Sequence, residues 1–131
     1  MSMQVADLMK ALPVLLQLNE SGMLSDTEIE FQPFKANERS AAEVHWLFRP
    51  EETGGCAAGL VRYAAGGSSP AHEHTGFEII YIFDGEMITN QGVLRKNELI
   101  CLPPGSQHSF HSETGCLALI IWEKPPQVVK P

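Results

Sequence analysis

The chain has 131 residues, 44% of them hydrophobic and 19% charged, enough sequence for one domain with a real core. Nine Lys and Arg stand against sixteen Asp and Glu, a formal charge of −7, and no basic cluster exists to neutralise phosphates, which excludes nucleic-acid binding. No apolar run is long enough to cross a bilayer as a helix.

Residues 1–28 read as an N-terminal arm. Val5, Leu8, Met9, Leu12, Leu15 and Leu16 approximate one face of a short helix, with Pro13 as a break or kink and Asn19 to Gly22 as its end. The apolar patch at 11–18 is preceded by Asp7 and followed by no small-residue cleavage site, so the arm is expected to belong to the mature protein rather than to a secretory signal. From Ile29 the pattern changes to strands. IEFQPF, VHWLFR, AAGLVRYAA, GFEIIYIF, EMITN, ELICLP and CLALIIW are short β-branched and aromatic runs. Turn residues at Pro50, Gly54-Gly55, Gly66-Gly67, Asp84-Gly85, Asn90 to Gly92, Pro103 to Gly105 and Gly115 separate them, an all-β sandwich or barrel pattern over 29–124. Asp84-Gly85 carries a tight-hairpin signal, and 125–131 reads as an extended or frayed tail. Cys56, Cys101 and Cys116 are widely spaced and form no C-x-x-C pair, which points away from a cysteine zinc site and towards the reducing cytoplasm. Cys101 and Cys116 lie in apolar runs, where a free thiol behaves as a small hydrophobe.

The chemistry sits in PAHEHTGFEIIYIFDG, residues 70–85. On a strand, His72 and His74 point to one face, and on the next strand Glu78, Ile80 and Ile82 share a face. A carboxylate beside two isoleucines is costly to bury unless a cation pairs with it, and a divalent metal held by two imidazoles would be that cation. His108, just after the Pro103 to Gly105 turn, is the candidate fourth ligand. His111 falls on the opposite parity and is left at the surface, and His45 is read as an ordinary strand histidine. Ile80, Ile82 and Phe110 are the expected apolar walls. Arg62 is the candidate for gripping an anionic substrate, the alternative being an exposed strand arginine. Tyr81 and Trp46 read as packing residues.

These residues resemble the cupin superfamily. Gly66, His72, His74, Glu78 and Gly85 match the spacing of its first motif, and Pro103, Gly105 and His108 match the second. Asn97 and Ser112 depart from that second motif, where a glycine and an asparagine are usual. Within cupins, 34–122 looks most similar to the ChrR-like group, named for the cupin half of zinc-binding anti-sigma factors, although the paired-cysteine, sigma-binding zinc domain has no counterpart here. The resemblance implies a jelly-roll barrel (a double-stranded β-helix) with one divalent metal ion per chain, held by His72, His74, Glu78 and His108, and often a homodimer. Three imidazoles and a carboxylate suit Zn or Fe, and also Mn, Ni or Cu. Two functions follow as expectations. One is a metal-dependent dioxygenase acting on a small keto or diketo compound. The other is a Zn-binding sensing or regulatory module with a protein partner.

Overall fold

The computed structural model describes residues 29–129. The arm expected over 1–28 lies outside the described residues. From Gln32 onward the chain is mostly strand: β1 (Gln32–Pro33), β2 (Ser40–Phe48), β3 (Ala57–Glu73), β4 (Glu78–Thr89), β5 (Gly92–Arg95), β6 (Leu99–Leu102), β7 (Gln107–His111), β8 (Cys116–Trp122) and β9 (Gln127–Val128). Among the described residues, helix is confined to a 3-10 turn at Ala36–Glu38 and a single turn, α1 (Pro50–Thr53), which proline opens and left-handed Gly54 closes.

Two long strands organise the rest. The first half of β3 runs between β2 and β8, so that Val61 faces Val44 on one side and Ala118 on the other. Its second half runs between β7 and β9, where His72 faces His108 and Val128. β4 does the same, with Ile80 between Ile100 of β6 and Ile120 of β8, then Ile88 between Val93 of β5 and His111 of β7. All these pairings are antiparallel, and the ring β3–β8–β4–β7 closes the barrel. This is the expected all-β jelly roll.

The long strands pass straight through two expected turns. Gly66-Gly67 lies inside β3 and Asp84-Gly85 inside β4, so neither ends a strand. Gly66 (φ 84°) and Gly85 (φ 77°) adopt left-handed backbone, and the β4–β8 register slips between Ile82 and Asp84. A glycine there lets the strand bend from one face of the barrel to the other without leaving the ladder. The hairpin after β4 is made instead at Asn90-Gln91. In the tail, Gln127 and Val128 pair with the end of β3 rather than fraying.

Alternation along β4 is as the sequence predicts: Glu78, Ile80 and Ile82 are all buried. The two isoleucines meet Val44, Val61, Met87, Leu102, Phe110 and Ile120 in one core. All three thiols are free. Cys116 is buried, which pushes its thiol up to about 11, whereas Cys101 is exposed on β6, so its apolar run gives it no cover.

Both departures from the second motif have local reasons. Asn97 has φ 67°, the region that glycine enters freely and asparagine tolerates. Its Oδ1 accepts from the Tyr81 hydroxyl (3.1 Å), and its N–H donates to the Ile82 carbonyl (2.7 Å). Ser112 is fully buried, and its Oγ donates to the Glu86 carbonyl (2.6 Å). The Glu86 carboxylate in turn accepts from the backbone N–H groups of Glu113 (3.1 Å) and Thr114 (3.2 Å), which ties down the β7–β8 connection.

Two glycine substitutions separate conformational strain from crowding. A Cβ at Gly85 would overlap the Gly115 carbonyl and come within 2.8 Å of the Cys116 Cα, all backbone, in addition to the left-handed penalty. Gly85→Ala is expected to cost more than about 3 kcal/mol in chemical unfolding. Gly54→Ala has the same backbone sign with nothing within 4 Å, and should cost only about 1–2 kcal/mol.

Candidate metal centre

Local structure delivers each donor. His72 near the end of β3 and His108 in β7 are direct partners across an antiparallel ladder, so their side chains share the inner face. His74 lies just beyond β3 and is held by the turn before β7: its N–H donates to the Ser106 carbonyl (2.9 Å) and its carbonyl accepts from Gly105 (2.8 Å). Glu78 opens β4, between Leu102 of β6 and Trp122 of β8. One ligand atom from each of these four residues lies within 4.8 Å of all the others. Each side chain is at least 98% buried.

The second nitrogen of each leading imidazole fixes which face carries the lone pair. His72 Nδ1 is 3.0 Å from the Pro70 carbonyl, which can only accept, so Nδ1 carries the proton and Nε2 faces the cluster bare. The Ser106 hydroxyl donates to the Pro103 carbonyl (2.6 Å), so it accepts from His74 Nδ1 (2.8 Å) and likewise leaves His74 Nε2 as the inward lone pair. That nitrogen lies in direct contact with Glu78 Oε2, and His72 Nε2 is 3.9 Å from the same oxygen. His108 Nδ1 is 3.2 Å from His72 Nε2, and the His108 ring stacks on Phe110 (5.1 Å between centroids).

Lone pairs facing a carboxylate oxygen repel one another unless a cation lies between them. His74 Nε2, Glu78 Oε2 and His108 Nε2 are buried with no hydrogen-bond partner. In a native fold such atoms need a proton or a metal ion. Burial alone would raise the Glu78 carboxyl, but in the metal-free site, where a proton on the imidazoles takes the cation's place, hydrogen bonding from His72 and His74 outweighs it and brings it down to about 2. Burial also takes His108 down to about 4, against the opposing pull of Glu78. At neutral pH the set therefore offers an ionised carboxylate and a neutral His108, the states in which these groups bind metal. The residues fit a divalent ion with mixed nitrogen and oxygen preference.

The other candidates lie elsewhere. Arg62 is exposed on β3, ion-paired with Glu43 (2.6 Å) and lying over the Phe31 ring (4.1 Å), and it is not brought to the cluster. His111 is exposed, and His45 is half-buried on β2 with its ring centroid 6.5 Å from that of Phe31. Ile80, Ile82 and Phe110 are buried as expected. Sequence reasoning missed Ser106, whose place between Gly105 and His108 was the available signal, and Arg39, a buried guanidinium bonded to the Tyr63 hydroxyl (3.1 Å).

Three outcomes test this arrangement. His74→Ala should abolish most metal binding by metal analysis. Ser106→Ala removes only the group that orients His74 and should weaken affinity about 10–100-fold in a chelator competition. In the metal-stripped protein, Glu78 and His108 both titrate below their ordinary values of 4.5 and 6.5, so the unfolded chain takes up protons that the folded one does not. Stability present above pH 6.5 should then fall as pH drops towards 4 through His108, and further from 4.5 towards 2 through Glu78. Thermal unfolding across that range checks it, with His108→Gln flattening the upper part.

Among solved structures, the chain is similar to an acetylacetone dioxygenase from Acinetobacter johnsonii, with TM-score 0.72 and 17% identity over 86% of this chain and 78% of that one. It is similar to the polyketide cyclase RemF from Streptomyces resistomycificus, with TM-score 0.69 and 19% identity over 82% of this chain and 84% of that one. It is also similar to a chain of the Rhodobacter sphaeroides complex of SigE with the anti-sigma ChrR, with TM-score 0.62 and 15% identity over 76% of this chain and 51% of that one. Identities this low establish the shared fold alone. No curated protein matches the chain significantly. The family model described as the ChrR cupin-like domain matches residues 20–124, and the chain belongs to that family.

Proposed function

We propose that the protein is a metal-dependent dioxygenase acting on a small keto or diketo compound. The observation that carries the reading is the set of inward lone pairs on His72, His74 and Glu78, with His108 beside them, inside an apolar barrel. The likeness in fold to an acetylacetone dioxygenase supports the substrate class.

In this reading the four side chains are the ligands of one ion per chain. A redox-active ion held by them would supply the electron-transfer chemistry that a dioxygenase needs. The protein's own contribution is preorganisation. The Pro70 carbonyl and Ser106 keep the lone pairs of His72 and His74 pointing inward, so the donor set needs no rearrangement. Phe110 stacked on His108 fixes that ring. Ile80 and Ile82, both fully buried, keep bulk water from the reacting centre. Arg62 could act on substrate only by leaving Glu43.

A second reading is favoured by the family itself. A four-donor set can close a tetrahedron around Zn, giving a sensing module with a protein partner. In both readings we place the barrel at 29–124, the arm at 1–28 and the tail at 125–131, in a cytoplasmic homodimer.

Elemental analysis of protein purified without added metal separates the two. About one Fe or Mn per chain, with oxygen uptake on addition of pentane-2,4-dione, is the expected result. One Zn per chain and no uptake with any small diketone would overturn the oxygenase reading in favour of the sensor.

A further inference from the structure

Beside the centre lies a second chamber, of about 220 Å³, lined by Phe34, Arg39, Trp46, Trp122 and the Pro125-Pro126 segment. Trp122 faces Glu78 directly across the β4–β8 ladder, so the chamber borders the strand pair that carries the carboxylate ligand. The walls are aromatic. Phe34, Trp46 and Trp122 pack with ring centroids 5.5 to 6.1 Å apart.

Two donors stand out among the polar groups of these walls, Arg39 and Trp122, beside Asn37 and Glu51. Arg39 is 93% buried, and among the described residues no carboxylate lies within ion-pair distance of it. Its Nη1 donates to the Ala36 carbonyl (2.7 Å) and its Nε to the Tyr63 hydroxyl (3.1 Å), so among the described residues its hydrogen-bond partners are neutral. Trp122 is 97% buried, and among the described residues its Nε1–H has no acceptor. The guanidinium lies over the Phe34 ring (4.3 Å) with no counter-charge, and a buried indole N–H without an acceptor is costly. One ligand relieves both: an anion with two acceptor oxygens on an apolar body. Arg49, over the Trp46 ring at 5.9 Å, adds positive charge at the rim, where Glu51 is the one opposing charge.

We infer that this chamber binds a small organic carboxylate, with its head on Arg39 and Trp122 Nε1 and its apolar body against Phe34, Trp46 and the prolines. The volume lies below the roughly 300 Å³ at which drug-sized pockets begin, so the ligand is a short-chain or single-ring acid. This deepens the preceding reading and rests on it for one point, that the bound acid is a substrate: it adds small keto acids to the diketones as substrates of the same centre.

Both tryptophans of the chain line the chamber, so their emission reports its occupancy directly. The test titrates the metal-loaded protein with hexanoate and benzoate, and in parallel with hexanamide and benzamide, which keep the shape and lose the charge. At least one acid should change the emission saturably, and its amide should bind about tenfold more weakly or not at all. Trp122→Phe, read through Trp46, should weaken acid binding severalfold while metal content stays unchanged. Arg39→Gln should abolish the preference for acid over amide. If it fails to fold, the wild-type comparison still decides. Equal response to acid and amide, or no response to either acid, overturns the proposal. Metal content measured on the same samples keeps the two readings apart. Acid selectivity without metal sinks the metal centre and leaves the chamber, whereas metal without acid selectivity does the reverse.

Discussion

Positive charge is the requirement on which this interior depends. Three imidazoles and a carboxylate are packed at the inner face of an apolar barrel, and two of the imidazoles are held by outward hydrogen bonds with their bare nitrogens turned inward. Burial alone would keep a carboxylate so enclosed neutral, yet Glu78 is held low because the protonated imidazoles of His72 and His74 pair with it in place of a metal ion. The same logic runs in reverse in the adjoining chamber, where Arg39 and Trp122 offer donors and no acceptor. The two regions are electrostatic complements separated by one strand pair.

Continuity of β3 and β4 places these groups. Each strand bends at a glycine rather than stopping there, and so each contributes to both faces of the barrel. His72 gains His108 as its ladder partner only because β3 continues past Gly66 to reach β7. Glu78 has Trp122 as its partner because β4 starts against β8. The neighbours that complete the site are thus distant in sequence and adjacent by register.

Much of this was legible in the sequence, for identifiable reasons. Period-two alternation in GFEIIYIF placed Glu78, Ile80 and Ile82 on one inner face because a half-buried strand has no other way to hide them. The clustering of His72 and His74 with Glu78 was legible because strand parity and a short connection bring them to one inner face. Glycines misled: Gly66-Gly67 and Asp84-Gly85 look like turns, and only tertiary pairing shows them to be bends within strands. Arg39 gave no signal, since an arginine after Asn37-Glu38 reads as surface, and its burial depends on Phe34 (4.3 Å from its guanidinium to the ring) and on Tyr63, 24 residues away. Arg62 sits on a strand that lines the barrel, but parity turns it outward to Glu43.

The sharing of β3 between both faces bears on how the molecule opens. A strand that belongs to a single sheet can peel away with that sheet, giving a local opening that leaves the remainder intact. β3 holds β2 and β8 with one half and β7 and β9 with the other, so releasing either half loosens both faces. The amides along it should therefore exchange with solvent through global unfolding rather than through small fluctuations. The barrel then behaves as one cooperative unit, with the strand that carries His72 at the slow-exchanging end of the stability range.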